Sequence, residues 1–195
     1  WVFGGIFRPV WLEVLPAIHI NEFNIDAKAD GLFRVSVWTN DEQNRKSAIL
    51  RIYDHTNKLV IADTGAAPIA NNSEGFIFGK IMKGAKAWSP ETPYLYRAEV
   101  TIYGNGFPLH RVSKKFGFRT VELRQRDGIY VNGVKMKFKG VNRHCFRPET
   151  GRTLSQKQSI EDVLLIKEMN MNAVRTAHYP PDTHFLDACD SLGLF

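Results

Sequence analysis

Apolar and polar side chains alternate one by one through much of residues 17–120. The stretches "FRVSVW" (33–38), "AILRIY" (48–53) and "LYRAEVTIY" (95–103) each send every second side chain to the same side, the period of a half-buried strand. Segments near 18–25, 58–63, 74–82 and 109–119 share the habit, so about seven strands fall within about 100 residues. Between them, "DHTNK" (54–58) and "YGNGFP" (103–108) supply the Asn, Gly and Pro that tight turns need. No part of 17–120 has a convincing helical period. The rhythm predicts an immunoglobulin-like β-sandwich, without the cysteine pair of antibody domains.

After Glu122 the pattern changes. Asn132-Gly133 marks a hairpin, and beyond it Lys135, Lys137 and Lys139 alternate with Met136 and Phe138, as on the wet face of a strand that runs on towards "NRH" (142–144). From Ser155 the period becomes helical. Ser155 and Gln158 have the spacing of a capping box, and Ile160, Val163, Leu164, Lys167 and Met169 follow at three- and four-residue steps, which predicts a helix over 156–169. "NAVR" (172–175) is expected as the next strand and 182–191 as a second amphipathic helix closed by Gly193. Strand, helix, strand, helix is the order of a parallel α/β unit. Leu194-Phe195 then reads as the opening of a third strand, while 4–16 reads as one strand-like run with no partner nearby in sequence. A two-stranded parallel sheet cannot cover itself on both faces. Both ends are therefore expected to be cut from a longer protein, which also fits a start on Trp1 with neither Met nor a basic leader.

Composition narrows the classes. Of 195 residues, 44% are hydrophobic and 24% charged, an ordinary balance for a globular chain with a substantial core. The net charge of +6 is spread evenly, with 15 basic against 11 acidic side chains through Thr120 and 11 against 9 after it. A nucleic-acid partner, which calls for a concentrated basic stripe, is not expected. Nor is a membrane partner, because no apolar run approaches the ~20 residues of a span. Cys145 and Cys189 lack framework spacing and are expected as unpaired thiols. The sequence has no HExxH, no paired CxxC, no phosphate-binding Gly-Lys-Ser/Thr segment and no Gly-x-Ser-x-Gly, so neither a metal nor a cofactor is expected.

Ligands of parallel α/β folds bind at the carboxyl ends of the strands. Two polar clusters fall there: Asn142, Arg143 and His144 after the first strand, and Arg175 and His178 in "RTAHYP" after the second. Their separation of about thirty residues is one βαβ turn, which puts them side by side on one rim. A guanidinium and two imidazoles there suit a hydroxyl-rich or anionic substrate. Each residue also has a plainer reading: a hydrogen-bonded structural histidine for His144 or His178, an ion pair for Arg175, a loop cap for Asn142.

"NAVRTAHYPPDTHFLDACDSLGLF" (172–195) resembles the signature segment of glycoside hydrolase family 2, whose members include β-galactosidases, β-glucuronidases and β-mannosidases. The likeness runs through Asn172, Arg175, His178, Tyr179, Pro180, Asp190 and Gly193. It extends to "GIFRPVWLE" (5–13), "WSPETPYLY" (88–96), "FGFRTVEL" (116–123) and "VNGVKMKFKGVNRH" (131–144). The resemblance implies the last strand of a jelly-roll sugar-binding domain over 1–16. It implies the sandwich over 17–120, and the lead-in and first two βα units of a TIM barrel over 121–195. It further implies retaining hydrolysis of terminal β-linked sugars by two glutamates, both beyond residue 195, so the chain by itself is expected to be inactive. Asn142, His144, Arg175 and His178 match family positions near the sugar pocket, and Arg143 is expected in an ion pair behind the rim. Cys145-Phe146-Arg147-Pro148 differs from the acidic, histidine-rich sequence that follows Asn-Arg-His in the best-known β-galactosidases, and Arg143 stands where β-glucuronidases usually carry Lys.

The expected function is thus part of an exo-β-glycosidase with β-galactosides as the substrate class. Its partners are the carbohydrate substrate and the flanking domains of the longer protein, and a homo-oligomer is left open. The alternative within the family is a β-glucuronidase or β-mannosidase, and two readings of another kind stand beside it: a carbohydrate-binding module presenting Trp38 or Trp88, and a spacer that orients neighbouring domains.

Overall fold

The computed structural model describes residues 4–40, 46–64, 67–69 and 72–195. They form two compact units, one of Glu13–Trp88 with Tyr94–Val134, the other of residues 4–12 and Ser89–Pro93 with Lys135–Phe195.

The first unit begins with strands β1 (Ile20–Ala27), β2 (Leu32–Thr39), β3 (Lys46–Tyr53), β4 (Leu59–Asp63), β5 (Ala67–Ile69), β6 (Asn72–Ile81), β7 (Tyr96–Gly104) and β8 (Phe107–Phe116). They make two antiparallel sheets in the orders β1-β2-β6-β5 and β4-β3-β7-β8. The alternation read from the sequence is the one that fills the core. Phe33, Val35 and Val37 from β2, Leu50 and Ile52 from β3, Phe78 from β6, and Val100 and Ile102 from β7 are all fully buried. Each such side chain removed from water contributes roughly 1.5–3 kcal/mol.

The turns follow the expected chemistry. Asn105 and Gly106 have φ of 52° and 82°, the left-handed pair of a two-residue hairpin turn joining β7 to β8. Asp54 Oδ1 accepts from the backbone N–H groups of Thr56 and Lys58 at 2.8 and 3.0 Å, which shapes the β3–β4 turn.

A second antiparallel pair, β9 (Val121–Arg124) and β10 (Gly128–Val131), runs into the short β11 (Val134–Lys135) through Asn132-Gly133, again with positive φ at both residues. Asn132 is also a tie within this unit: its side-chain oxygen accepts from Thr120 N at 3.0 Å and its amide donates to Trp88 O at 2.9 Å. Trp88 is 1% exposed, with the Arg119 guanidinium 4.6 Å from its ring, and a Cβ at Gly117 would come within 2.7 Å of it. Trp38 is half-buried on β2. Trp88 is therefore a core residue and offers no sugar-stacking face.

In the second unit, β12 (Gly140–Arg143) and β13 (Ala173–Thr176) pair in parallel, and α1 (Gln156–Glu168) crosses between them. Ser155 caps α1: the Gln158 N–H donates to its Oγ at 3.3 Å, and its own N–H donates to Gln158 Oε1 at 2.8 Å. That reciprocal box is the one the sequence predicts. Helix α2 (Thr183–Leu192) ends at Gly193, whose φ of 82° makes it the left-handed cap. A side chain there would also strike Pro90 O at 2.2 Å. The last residue behaves as a third strand would: Phe195 N donates to Asn172 O and Val174 N to Phe195 O, both at 2.8 Å, which is one step of a parallel ladder on β13.

Three expectations are corrected. Residues 4–16 form no strand, because no neighbour among the described residues offers them a ladder. The strand expected through Lys135–Lys139 stops at Lys135. Beyond it, Asn172 replaces a partner strand, its Oδ1 accepting from Lys139 N at 2.8 Å and its Nδ2 donating to Lys137 O at 3.1 Å. The buried positions of α1 are Ser159, Val163 and Ile166, the last two packing with Phe185, Ala188 and Cys189 of α2, while Leu164 and Met169 stay at least half exposed.

Candidate functional site

The rim at the carboxyl ends of β12 and β13 is set by one close approach. Gly140 faces Ala173, and a Cβ on Gly140 would sit 2.1 Å from Ala173 O, so only glycine lets the strands come together in this register. Two residues on, the same register puts Asn142 opposite Arg175, with Arg175 Nη1 3.5 Å from Asn142 Oδ1. Just past the strand ends, the His144 and His178 rings meet edge to face with centroids 5.0 Å apart. All four side chains are exposed. The structure thus brings together the four residues that the sequence singles out, as two cross-strand pairs. Below them, Phe138, Val141, Val174 and Phe195 join Asn142 and Arg175 around a concavity of about 440 Å³.

The underside of this unit is a lattice of charge. Arg143, next to Asn142 but pointing the other way, is buried, with its guanidinium 3.9 Å from the Phe185 ring. Its Nε donates to Asp162 Oδ2 at 2.8 Å and its Nη2 lies 2.7 Å from the same oxygen, while Asp162 Oδ1 takes Arg147. Arg143 Nη1 donates to Cys145 Sγ at 3.3 Å. An inward alternation on β12 therefore turns Arg143 into a strut, the ion pair expected behind the rim.

Nearby, the Arg152 guanidinium is stacked 3.8 Å from the Phe7 ring and 4.0 Å from the Tyr179 ring. Arg8 binds Asp182, its Nε 3.2 Å from Oδ1, and donates to Pro180 O. Asp162, Arg152 and Arg8 escape sequence reasoning, because nothing in their spacing ties them to the rim. Tyr179 and Arg8 carry a signal only by their place in the segments that resemble the family.

Cys145 and Cys189 are buried free thiols. Burial, with Asp190 beside it, pushes the Cys189 thiol up to about 12 against the opposing pull of Arg143, so it stays protonated and inert. Among the described residues, no group of three His, Cys, Asp or Glu side chains is arranged to hold a metal ion. Among the described residues, no helix is long and apolar enough to cross a membrane.

Residues 18–119 match the family model described as "Glycosyl hydrolases family 2", and residues 121–195 match "Glycosyl hydrolases family 2, TIM barrel domain". The chain belongs to glycosyl hydrolase family 2. It is an immunoglobulin-like sandwich followed by an incomplete TIM-barrel segment.

Among curated relatives, a β-galactosidase of Halalkalibacterium halodurans is 33% identical across the whole chain, which spans 19% of that protein. A putative β-glucuronidase of Formosa agariphila is 34% identical, again across the whole chain and 24% of its own length. Among solved structures, a β-glucuronidase of Bacteroides uniformis aligns over 98% of this chain and 25% of its own, with 27% identity and a TM-score of 0.78. The chain thus spans about a fifth to under a third of the relatives it matches.

Proposed function

We propose that this chain is the linker sandwich and barrel entrance of a retaining exo-β-glycosidase that removes terminal β-linked sugars, with β-galactosides as the substrate class. The observation that carries the reading is the meeting of Asn142 with Arg175 and of His144 with His178 at the carboxyl ends of adjacent parallel strands. Amide and imidazole groups there hydrogen-bond sugar hydroxyls, and the guanidinium adds a charged donor for a hydroxyl or a carboxylate. These four residues form the binding half of the site. Both glutamates of retaining hydrolysis lie beyond Phe195. The carboxylates flanking the rim, Asp162 and Asp182, are held by Arg143 with Arg147 and by Arg8, as struts. The choice of galactosides is supported by β-galactosidases of Halalkalibacterium halodurans and Thermoanaerobacter pseudethanolicus that match nearly the whole chain. Arg143, the position that separates β-glucuronidases, faces away from the rim and so does not choose the sugar. The sandwich acts as a spacer for the flanking domains of the longer protein.

The test uses a polypeptide that carries this chain together with a complete family 2 barrel, assayed on chromogenic β-galactoside and β-glucuronide. The galactoside is expected to be the better substrate. His178→Ala is expected to raise KM about tenfold, the worth of one hydrogen bond to a sugar hydroxyl. Faster hydrolysis of the glucuronide would overturn the substrate class, and an unchanged KM would overturn the rim assignment.

A further inference from the structure

The outward face of the sheet β4-β3-β7-β8 gathers charge that the sequence disperses. Arg51, Arg97 and Arg111 come from β3, β7 and β8, and the register sets Arg51 across from Glu99 and Arg111 across from Thr101. All three guanidinium groups converge on the Glu99 carboxylate, Arg97 Nη1 at 3.3 Å, Arg111 Nε at 3.8 Å and Arg51 Nη1 at 4.0 Å. These separations exceed the roughly 2.7–2.9 Å of a firm charged hydrogen bond, so one carboxylate offsets a single charge and leaves donors free. Lys115, exposed and opposite Arg97, adds another cation.

The cluster is built rather than loose. Arg97 lies 4.1 Å from the Tyr53 ring centroid and reaches Asn57 Oδ1 at 3.3 Å. A hydrogen bond to the Tyr103 side chain, with Tyr53 and Glu99 nearby, holds Arg51 above its ordinary pKa. On the same face, Thr101 is fully buried and its hydroxyl has no hydrogen-bond partner. Arg111, 60% exposed, stands across from it.

We propose that this face docks an acidic polysaccharide, the sugar carboxylates meeting Arg51, Arg97 and Arg111 while Glu99 accepts from a neighbouring sugar hydroxyl. Charge complementarity selects a polyanion. The Tyr53 face, already occupied by Arg97, leaves no platform for a stacked base. The inference is independent of the glycosidase reading, and its failure leaves that reading untouched.

The experiment is calorimetric titration of the chain with short oligogalacturonates, neutral dextran oligosaccharides and single-stranded DNA. Saturable oligogalacturonate binding is expected, weakened about tenfold between about 0.05 and 0.5 M salt as screening sets in. Arg111→Gln, at the most exposed arginine, is expected to weaken it about threefold to tenfold with an unchanged melting temperature. The pair Lys135→Gln and Lys137→Gln, in the other compact unit, is expected to leave it unchanged. No saturable binding, equal binding of dextran, tighter binding of DNA, or a loss through the lysine pair but not through Arg111→Gln would each overturn the proposal.

Discussion

The sandwich and the α/β unit handle their apolar surface in opposite ways. In the sandwich, each sheet buries its inner face on the other, and Phe33, Leu50, Phe78 and Val100 are completely enclosed. In the α/β unit, α1 and α2 form one buried cluster with Leu194, while Phe138 and Val141 remain 43% and 38% exposed around the rim concavity. A parallel sheet is stable when both faces are covered. The difference teaches that core closure and the candidate glycosidase rim are separated in this chain: the sandwich closes a large core of its own, and the unit with the rim adds glycine contacts, caps and ion pairs to a smaller buried cluster.

The largest effect expected is on the closed core. Phe78→Ala should remove about 3–5 kcal/mol from the sandwich, seen as an earlier loss of β-sheet signal in urea. A variant as stable as the original would break the contrast. Next is Gly140→Ala, which drives a Cβ into Ala173 O and should cost the α/β unit about 2–3 kcal/mol, read as lost helical ellipticity with the sheet signal retained. Ser155→Ala removes the cap of α1 and should cost about 1 kcal/mol in the same helical transition.

The smallest effect is a dependence on pH in the sandwich. His110 Nδ1 accepts the Ile20 N–H at 3.0 Å, and burial, together with His19, holds its pKa below the usual value of about 6.5 against the opposing pull of Glu13. The unfolded chain binds this proton more readily than the folded one. The contribution is therefore complete above about pH 6.5 and is lost as the pH falls through that value towards the folded pKa. Melting temperature should fall more steeply with acid in the original than in His110→Gln. Parallel curves would contradict the assignment.

The strands of the sandwich were legible because period-two alternation coincides with burial at Val35, Val37, Leu50 and Ile52. β5 was not: it is only three residues long, with Pro68 in the middle. The lysine alternation after Asn132-Gly133 imitated a strand, but the backbone groups of 137–139 are held by the Asn172 side chain, a long-range tie with no local signal. On α1, Leu164 and Met169 fit a helical period yet lie off the face that α2 covers, since periodicity offers several apolar stripes and packing selects one. The rim was legible because one βαβ turn fixes which strand ends are neighbours. Its underside was not, since Asp162 finds Arg143 and Arg147 only once the helix is docked.

The central claim is that this chain carries the sugar-holding half of a glycosidase site without its two glutamates. Incubating the purified chain with a chromogenic β-galactoside tests it directly. The account predicts release of the chromophore no faster than in buffer. Turnover at an enzymatic rate by the chain alone would contradict it, because the catalytic carboxylates would then have to lie within these 195 residues.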